Sequence, residues 1–155
     1  LRYYIKRKTN KRFKISGKVR NQINKELKFG LGKFSTYQKF SLNVIKSKSK
    51  LIKLLMYLKS KNKKIIGYGA TAKAVTILNY CNIGPNIIDY ICDTTKEKIG
   101  KFSPGMHIPI VSVENFRKDD AEIVYLFAWN HKDEILKKES VFTEIKREWI
   151  SHVKI

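Results

Sequence analysis

The chain has 155 residues, of which 43% are apolar and 12% aromatic, enough for one ordinary domain with an appendage. Its net charge of +20 is localised: residues 1–64 hold 21 of the 33 lysines and arginines and one acid, Glu26, whereas residues 65–155 hold 12 bases and 12 acids. The absence of an eighteen-residue apolar run or a charged-then-apolar leader excludes spanning and secretory readings, and Cys81 and Cys92, without metal-ligand spacing, point to a reducing, cytoplasmic setting.

The first element is a strand-like run, Leu1 to Ile5, and because no methionine precedes it a fragment of a longer protein is expected. After the polar stretch Lys6 to Lys14, Val19, Ile23 and Leu27 recur every fourth residue, forming one helical stripe. Gly30 and Gly32 interrupt it. Ser35 can then cap a second helix, ending near Asn62, in which Tyr37, Phe40, Val44, Leu51, Leu54, Leu55 and Leu58 share a face. A basic arm of this kind serves either a nucleic acid or membrane surface, or simply the solvent face of helices. Phe13, Phe29, Phe34, Tyr37 and Phe40 stand among the lysines as a stacking surface would require, but their spacing points them inward. The helix-face reading is therefore adopted, with a nucleic-acid partner unlikely by this criterion and no membrane partner expected.

From residue 63 the pattern changes period. Ile65 to Tyr68 reads as a buried strand, followed by a glycine turn and a helix carrying Ala72, Val75, Ile77 and Leu78. Ile87 to Cys92 reads as the second strand, ending at Asp93. Pro104-Gly105 marks a loop, Ile108 to Val111 a short extended segment, Ala121 to Trp129 an apolar strand, and Trp149 to Ile155 the last strand. Asn130, with Asp133 three residues on, can start a helix running to about Lys138. The expected fold is α/β, a Rossmann-like and mostly parallel sheet with flanking helices over 63–155. A basic strand-plus-helices linker over 1–62 is expected to pack on it.

Gly67-x-Gly69-x-x-Ala72, after a strand and opening a helix, satisfies the dinucleotide fingerprint with alanine last. The first glycine permits the tight turn, the second a close pyrophosphate, and Ala72 close helix–strand packing. Helix-start amides would face an anion. Candidate ligand contacts are Gly67, Tyr68, Gly69 and Ala70, through amides and the tyrosine ring or hydroxyl, with Lys73 either a phosphate partner or a solvated helix residue. Asp93, 24 residues beyond Gly69, suits a ribose hydroxyl or a turn. Trp129 either stacks on a base or sugar or covers the core, and Asn130 binds ligand or caps the next helix. His107, between Pro104-Gly105 and Ile108-Pro109, donates to ligand or holds its loop. His131, His152 and the acid pairs Asp119-Asp120 and Asp133-Glu134 are assigned no chemistry.

A longer run carries a family resemblance. Gly67-Tyr-Gly-Ala-Thr-Ala-Lys73, Leu78-Asn79, Asp93, Gly100-Lys-Phe-Ser-Pro-Gly-Met-His-Ile-Pro-Ile110, Ala128-Trp-Asn130 and Glu134-Ile135 together resemble the C-terminal domain of S-adenosyl-L-methionine (SAM)-dependent C-methyltransferases acting on nucleotide-linked deoxysugars. Leu1 to Tyr4, Glu26, Gly30-Leu31, Tyr37 and Phe40 resemble, more loosely, the segment joining that domain to the catalytic one. Ala74 replaces a common family glycine, Thr94-Thr95-Lys96 a proline-containing turn, and Lys146 to His152 the family's usual glycine-rich ending.

The resemblance implies a three-part enzyme in which a zinc-binding domain and a SAM-binding domain lie upstream. SAM, and any zinc, would then sit outside this chain, as would the histidine base, so no catalytic residue is assigned here. The implied partner of residues 63–155 is a nucleotide-sugar. An NAD-dependent oxidoreductase half, favoured by Gly67, Gly69, Ala72 and Asp93, is the alternative.

Overall fold

The computed structural model describes residues 2–142 and 146–153. They form two compact units, Leu1–Ile45 and Lys46–Ile155.

In the first unit, helix α1 spans Gly17–Phe29. The Ser16 hydroxyl accepts from the Lys18 amide, and Gly30 ends the helix at φ 91°, a left-handed conformation that glycine adopts without a Cβ penalty. Helix α2 begins at Phe34, which places Ser35 inside its first turn rather than at the cap, and runs to Ser60 in the second unit. Two side chains brace the turn between the helices: Thr36 Oγ1 donates to the Gly30 carbonyl at 2.8 Å and Tyr37 to that of Leu31 at 2.7 Å.

Two expectations are corrected here. Residues 2–5 form no strand, because no neighbouring chain pairs with them, and Leu1 lies outside the described residues. The inward placing of the aromatics also fails: Phe29 and Phe34 are each 76% exposed, and α1 buries none of its residues.

The second unit is built on a five-stranded sheet of order β3-β2-β1-β4-β5, every adjacent pair parallel. The strands are β1 Ile65–Tyr68, β2 Ile91–Asp93, β3 Ile110–Ser112, β4 Ile123–Leu126 and β5 Glu148–Ile150. Between them lie α3 Ala72–Cys81, α4 Val113–Lys118 and α5 Lys132–Glu139, the last preceded by one 3-10 turn at Trp129–His131. The β1 and β4 strands are buried along their whole lengths, as their unbroken apolar runs require when helices cover both faces. Leu55 of α2 and Leu78 of α3 pack with Ile65, Tyr125 and Phe127 on one face. On the other, Phe116 of α4 and Ile135 of α5 pack with Ile66, Tyr68 and Leu126.

Contacts assign the second half of α2 to the sheet unit, because Leu51, Leu55 and Leu58 are buried in its core, although the sequence changes period only after residue 62. The second strand is shorter than expected, since Gly84 to Ile87 form a turn before it. The last strand starts one residue earlier and ends at Ile150; residues 154 and 155 lie outside the described residues. Helix α4 was not anticipated from periodicity, its six residues being too few to show one. The capping signal was present: Ser112 accepts from the Asn115 amide, with Glu114 in the first turn and Arg117 and Lys118 in the last. No helix among the described residues is long and apolar enough to cross a membrane.

Candidate functional site

Strand order reverses between β1 and β4, so the crevice beyond their carboxyl ends is where an open parallel sheet collects ligands. The turn Gly67 to Thr71 leads there, but its glycines serve packing inside the protein. A Cβ on Gly67 would lie 2.8 Å from the Phe127 ring and 2.9 Å from Ile91. Gly69 sits at φ 92°, with its Cβ position 2.9 Å from that of Ala128. Both glycines therefore have a packing reason inside the protein. Ala72 is exposed; the small residue that packs the helix onto the sheet is Ala74, 1% exposed.

The turn's first free amide already has an anion. Ala70 donates its N–H to Asp93 Oδ2 at 2.7 Å, and the Thr95 amide donates to Oδ1 at 2.8 Å. Lys98 Nζ joins them, 3.3 Å from Oδ2 and 2.9 Å from the Ala70 carbonyl. Burial works to raise the Asp93 pKa, but these hydrogen bonds and the Lys98 ammonium outweigh it and hold the carboxyl below its ordinary range. At 7% exposure, with both oxygens engaged, Asp93 is committed to the turn and does not fit a ribose-binding role.

Tyr68 is likewise withdrawn as a ligand-facing side chain. It is 5% exposed, packs edge-on against Phe116, and its hydroxyl donates to Glu139. Desolvation, reinforced by the Glu139 carboxylate, pushes the phenol well above its usual range, so it stays a neutral donor.

Three expected residues do come together. Thr71 caps α3 by accepting from the Ala74 amide, which leaves the Ala72 and Lys73 amides without intrahelical acceptors at the positive end of the helix dipole. From the same turn Lys73 Nζ donates to Asn130 Oδ1 at 2.6 Å and lies 5.1 Å from the Trp129 ring centroid. Asn130 is therefore the partner of Lys73 and not the cap of α5, which follows the 3-10 turn with no side-chain cap.

Beside this helix terminus lies a cleft of about 330 Å³, lined from the turn and the start of α3 by Ala70, Thr71, Ala72, Ala74 and Val75 and from the following loop by Glu97, Lys98 and residues 101–104. Its walls are mainly apolar, including Val75, Ile91, Phe102 and Ile110, with Thr71, Glu97, Lys98, Lys101 and Ser103 as polar members. Asn79 holds this loop in place by donating to the Val75 and Pro104 carbonyls at 2.8 and 3.0 Å. A Cβ on Gly105, at φ 82°, would overlap the Asn79 amide. Within the loop, Ser103 Oγ accepts from the Ile108 amide, and the His107 amide donates to the Ser103 carbonyl. His107 itself is exposed with φ 53° and is not part of the cleft lining. Asn79, Lys98 and Ser103 thus order the surroundings of this cleft; in the sequence Asn79 and Ser103 stand only as members of the resembling runs, without a role, and Lys98 carries no signal.

Asn79 on α3 and the run Gly100 to Ile110 are joined by this one interlock. A family profile described as the C-methyltransferase C-terminal domain matches residues 1–153. The chain belongs to that family. C-methyltransferase NovU of Streptomyces niveus is 31% identical to this C-methyltransferase C-terminal domain over 126 residues. The match covers 81% of the chain and 30% of that relative, so the chain spans under a third of the relative's length. Among the described residues no group of three or more His, Cys, Asp or Glu side chains is placed to hold a metal ion, and Cys81 and Cys92 are buried free thiols. The zinc considered with the family resemblance has no ligand set there.

Proposed function

We propose that this chain is the substrate-side domain of a SAM-dependent C-methyltransferase that acts, in the cytoplasm, on a nucleotide-linked deoxysugar. The observation that carries the reading is the helix terminus of α3: two unpaired amides and the Lys73 ammonium converge at the sheet's switch point, next to a mainly apolar cleft. An anion joined to a flat organic group suits that combination. The diphosphate lies against the Ala72 and Lys73 amides and pairs with Lys73, while Trp129 and Asn130 orient it.

The residues here do not fit SAM or NAD at the position where a fingerprint of this type holds ribose, because Asp93 has both oxygens engaged inside the protein. No chemical step is assigned to this chain. Its contribution to methyl transfer is positional: it holds the substrate so that the reacting carbon meets groups in the rest of the enzyme. Thermal-shift measurement tests this. Thymidine diphosphate, or a sugar linked to it, is expected to raise the Tm of the chain and NAD to leave it unchanged; stabilisation by NAD alone would overturn the reading.

A further inference from the structure

Helix α1 is specified at both ends, by the Ser16 cap and the left-handed Gly30, yet it buries none of its 13 residues. A helix of that length is marginal without tertiary packing, because most helical stability in proteins comes from burying an apolar face. The face exists: Val19, Ile23 and Leu27 recur once per turn and are 49–60% exposed. Past the Gly30 turn, Phe34, Tyr37 and Phe40 at the start of α2 are exposed as well. Around these stripes, residues 1–45 carry 13 lysines and arginines and a single acid, Glu26.

Three kinds of occupant fail on chemistry. A second copy would set these cations against the same number again. A nucleic acid would take the lysines and the aromatic rings but leave Val19, Ile23 and Leu27 in water. An anionic lipid surface needs a broad apolar face, whereas the α1 stripe is one residue wide and is bordered by Gln22 and Glu26, hydrogen-bonded to each other at 2.9 Å. One apolar residue per turn is the narrow seam by which a helix packs on another protein element. The family profile begins at residue 1, so this basic segment is part of what the family shares, and the matched region leaves more than two thirds of the NovU relative outside it.

We infer that residues 17–40 are the docking surface for the rest of the methyltransferase, which presents an apolar groove edged by aspartates and glutamates. Val19, Ile23 and Leu27 fill the groove, and the rings of Phe34, Tyr37 and Phe40 anchor the end beyond the turn. Lys18, Arg20, Lys25 and Lys28 pair with the acidic edge and set register and partner choice more than affinity. The inference is independent of which ligand the sheet unit holds.

Limited trypsin digestion of the 155-residue chain and of the complete enzyme, expressed from its own start codon, tests this, with the Tm of each as control. In the 155-residue chain the segment is cut first, between Lys18 and Lys28; in the complete enzyme those sites are cut about tenfold more slowly or less. Ile23→Asp and Phe40→Asp, both at exposed positions, are expected to leave the Tm of the 155-residue chain unchanged and to return cleavage of the complete enzyme to the faster rate. Lys25→Glu with Lys28→Glu should do so in part, and more at low salt. Equal cleavage in the two proteins, protection that survives both aspartate variants, or protection that requires phosphatidylglycerol vesicles or single-stranded DNA overturns the inference. So does a reading frame that holds no methyltransferase sequence beyond these 155 residues.

Discussion

The hydroxyl of Tyr68 donates to Oε1 of Glu139, 71 residues later in the chain, at 2.8 Å in the core. Arg117 holds the same carboxylate through both oxygens, Nε to Oε2 at 2.9 Å and Nη2 to Oε1 at 3.2 Å. Strand β1, helix α4 and helix α5 are thus tied at one buried acid, 2% exposed. Removing Glu139 leaves Arg117 partly buried without its counter-charge. Glu139→Ala is expected to cost about 3–5 kcal/mol and Tyr68→Phe about 1.5–3 kcal/mol, read by urea unfolding. Because the Tyr68 ring packs on the face opposite the cleft, Tyr68→Phe should leave thymidine diphosphate affinity unchanged. A tenfold loss would return the phenol to the ligand site.

Gly105 and Asn79 interlock α3 with the cleft's outer loop. Gly105→Ala puts a Cβ into the Asn79 amide at a positive φ, and a loss of about 1–2 kcal/mol or more is expected. In the double variant with Asn79→Ala the collision disappears and only the φ strain and the lost Pro104 hydrogen bond remain. The two changes together should therefore destabilise by less than their sum, and strict additivity in a double-mutant cycle would refute the interlock.

Lys73 is exposed and its ammonium is steered by Asn130 and Trp129. Lys73→Ala should lower thymidine diphosphate affinity about tenfold with little change in Tm, and Asn130→Ala by a smaller factor, since the ammonium remains but is no longer aimed. Raising salt should compress both differences. Equal affinities for all three chains at low salt would remove Lys73 from the site.

Tyr125 in β4 shares its hydroxyl with His152, 2.9 Å from Nδ1, and burial lowers the histidine's pKa from its ordinary 6.5. With the folded pKa below the unfolded one, protonation favours the unfolded chain. This stabilisation is complete above pH 6.5 and is lost as pH falls through the folded pKa. Asp93 has the same sign lower down: its depressed pKa contributes stability above the carboxyl's ordinary 3.8, lost as pH falls further. Urea midpoints should decline in two ranges on acidification. His152→Gln should flatten the upper one and Asp93→Asn the lower; an unchanged upper slope in His152→Gln would show that another group governs it.

Where local pattern suffices, the sequence was readable. The every-fourth-residue stripe marked α1, the broad apolar face marked α2, and the apolar run, glycine turn and small residues marked β1 and α3. The ordered motifs also placed the chain in its family. The site was read less completely. Lys73, Trp129 and Asn130 lie together as a candidate cluster, while Asp93 and the Tyr68 side chain are taken up inside the protein. Asp93 looked the same on paper whether it met a ribose or a backbone amide, because both roles need an acid at the end of β2.

By itself the sequence determined the main strands and helices of residues 63–155 apart from α4, their order, and the charge division at residue 64, since these follow from periodicity, caps and composition within short windows. Only the tertiary structure decided which way each turn residue faces. The Tyr68 ring goes inward because Glu139, Arg117 and Phe116 arrive there from distant segments, and Gly67 must lack a Cβ because Phe127 crosses it. The loop bounding the cleft is held to α3 because Asn79 donates to the Pro104 carbonyl and lies where a Cβ on Gly105, 26 positions later, would sit. Such choices are set by packing between elements far apart in the chain, where no local pattern carries the information.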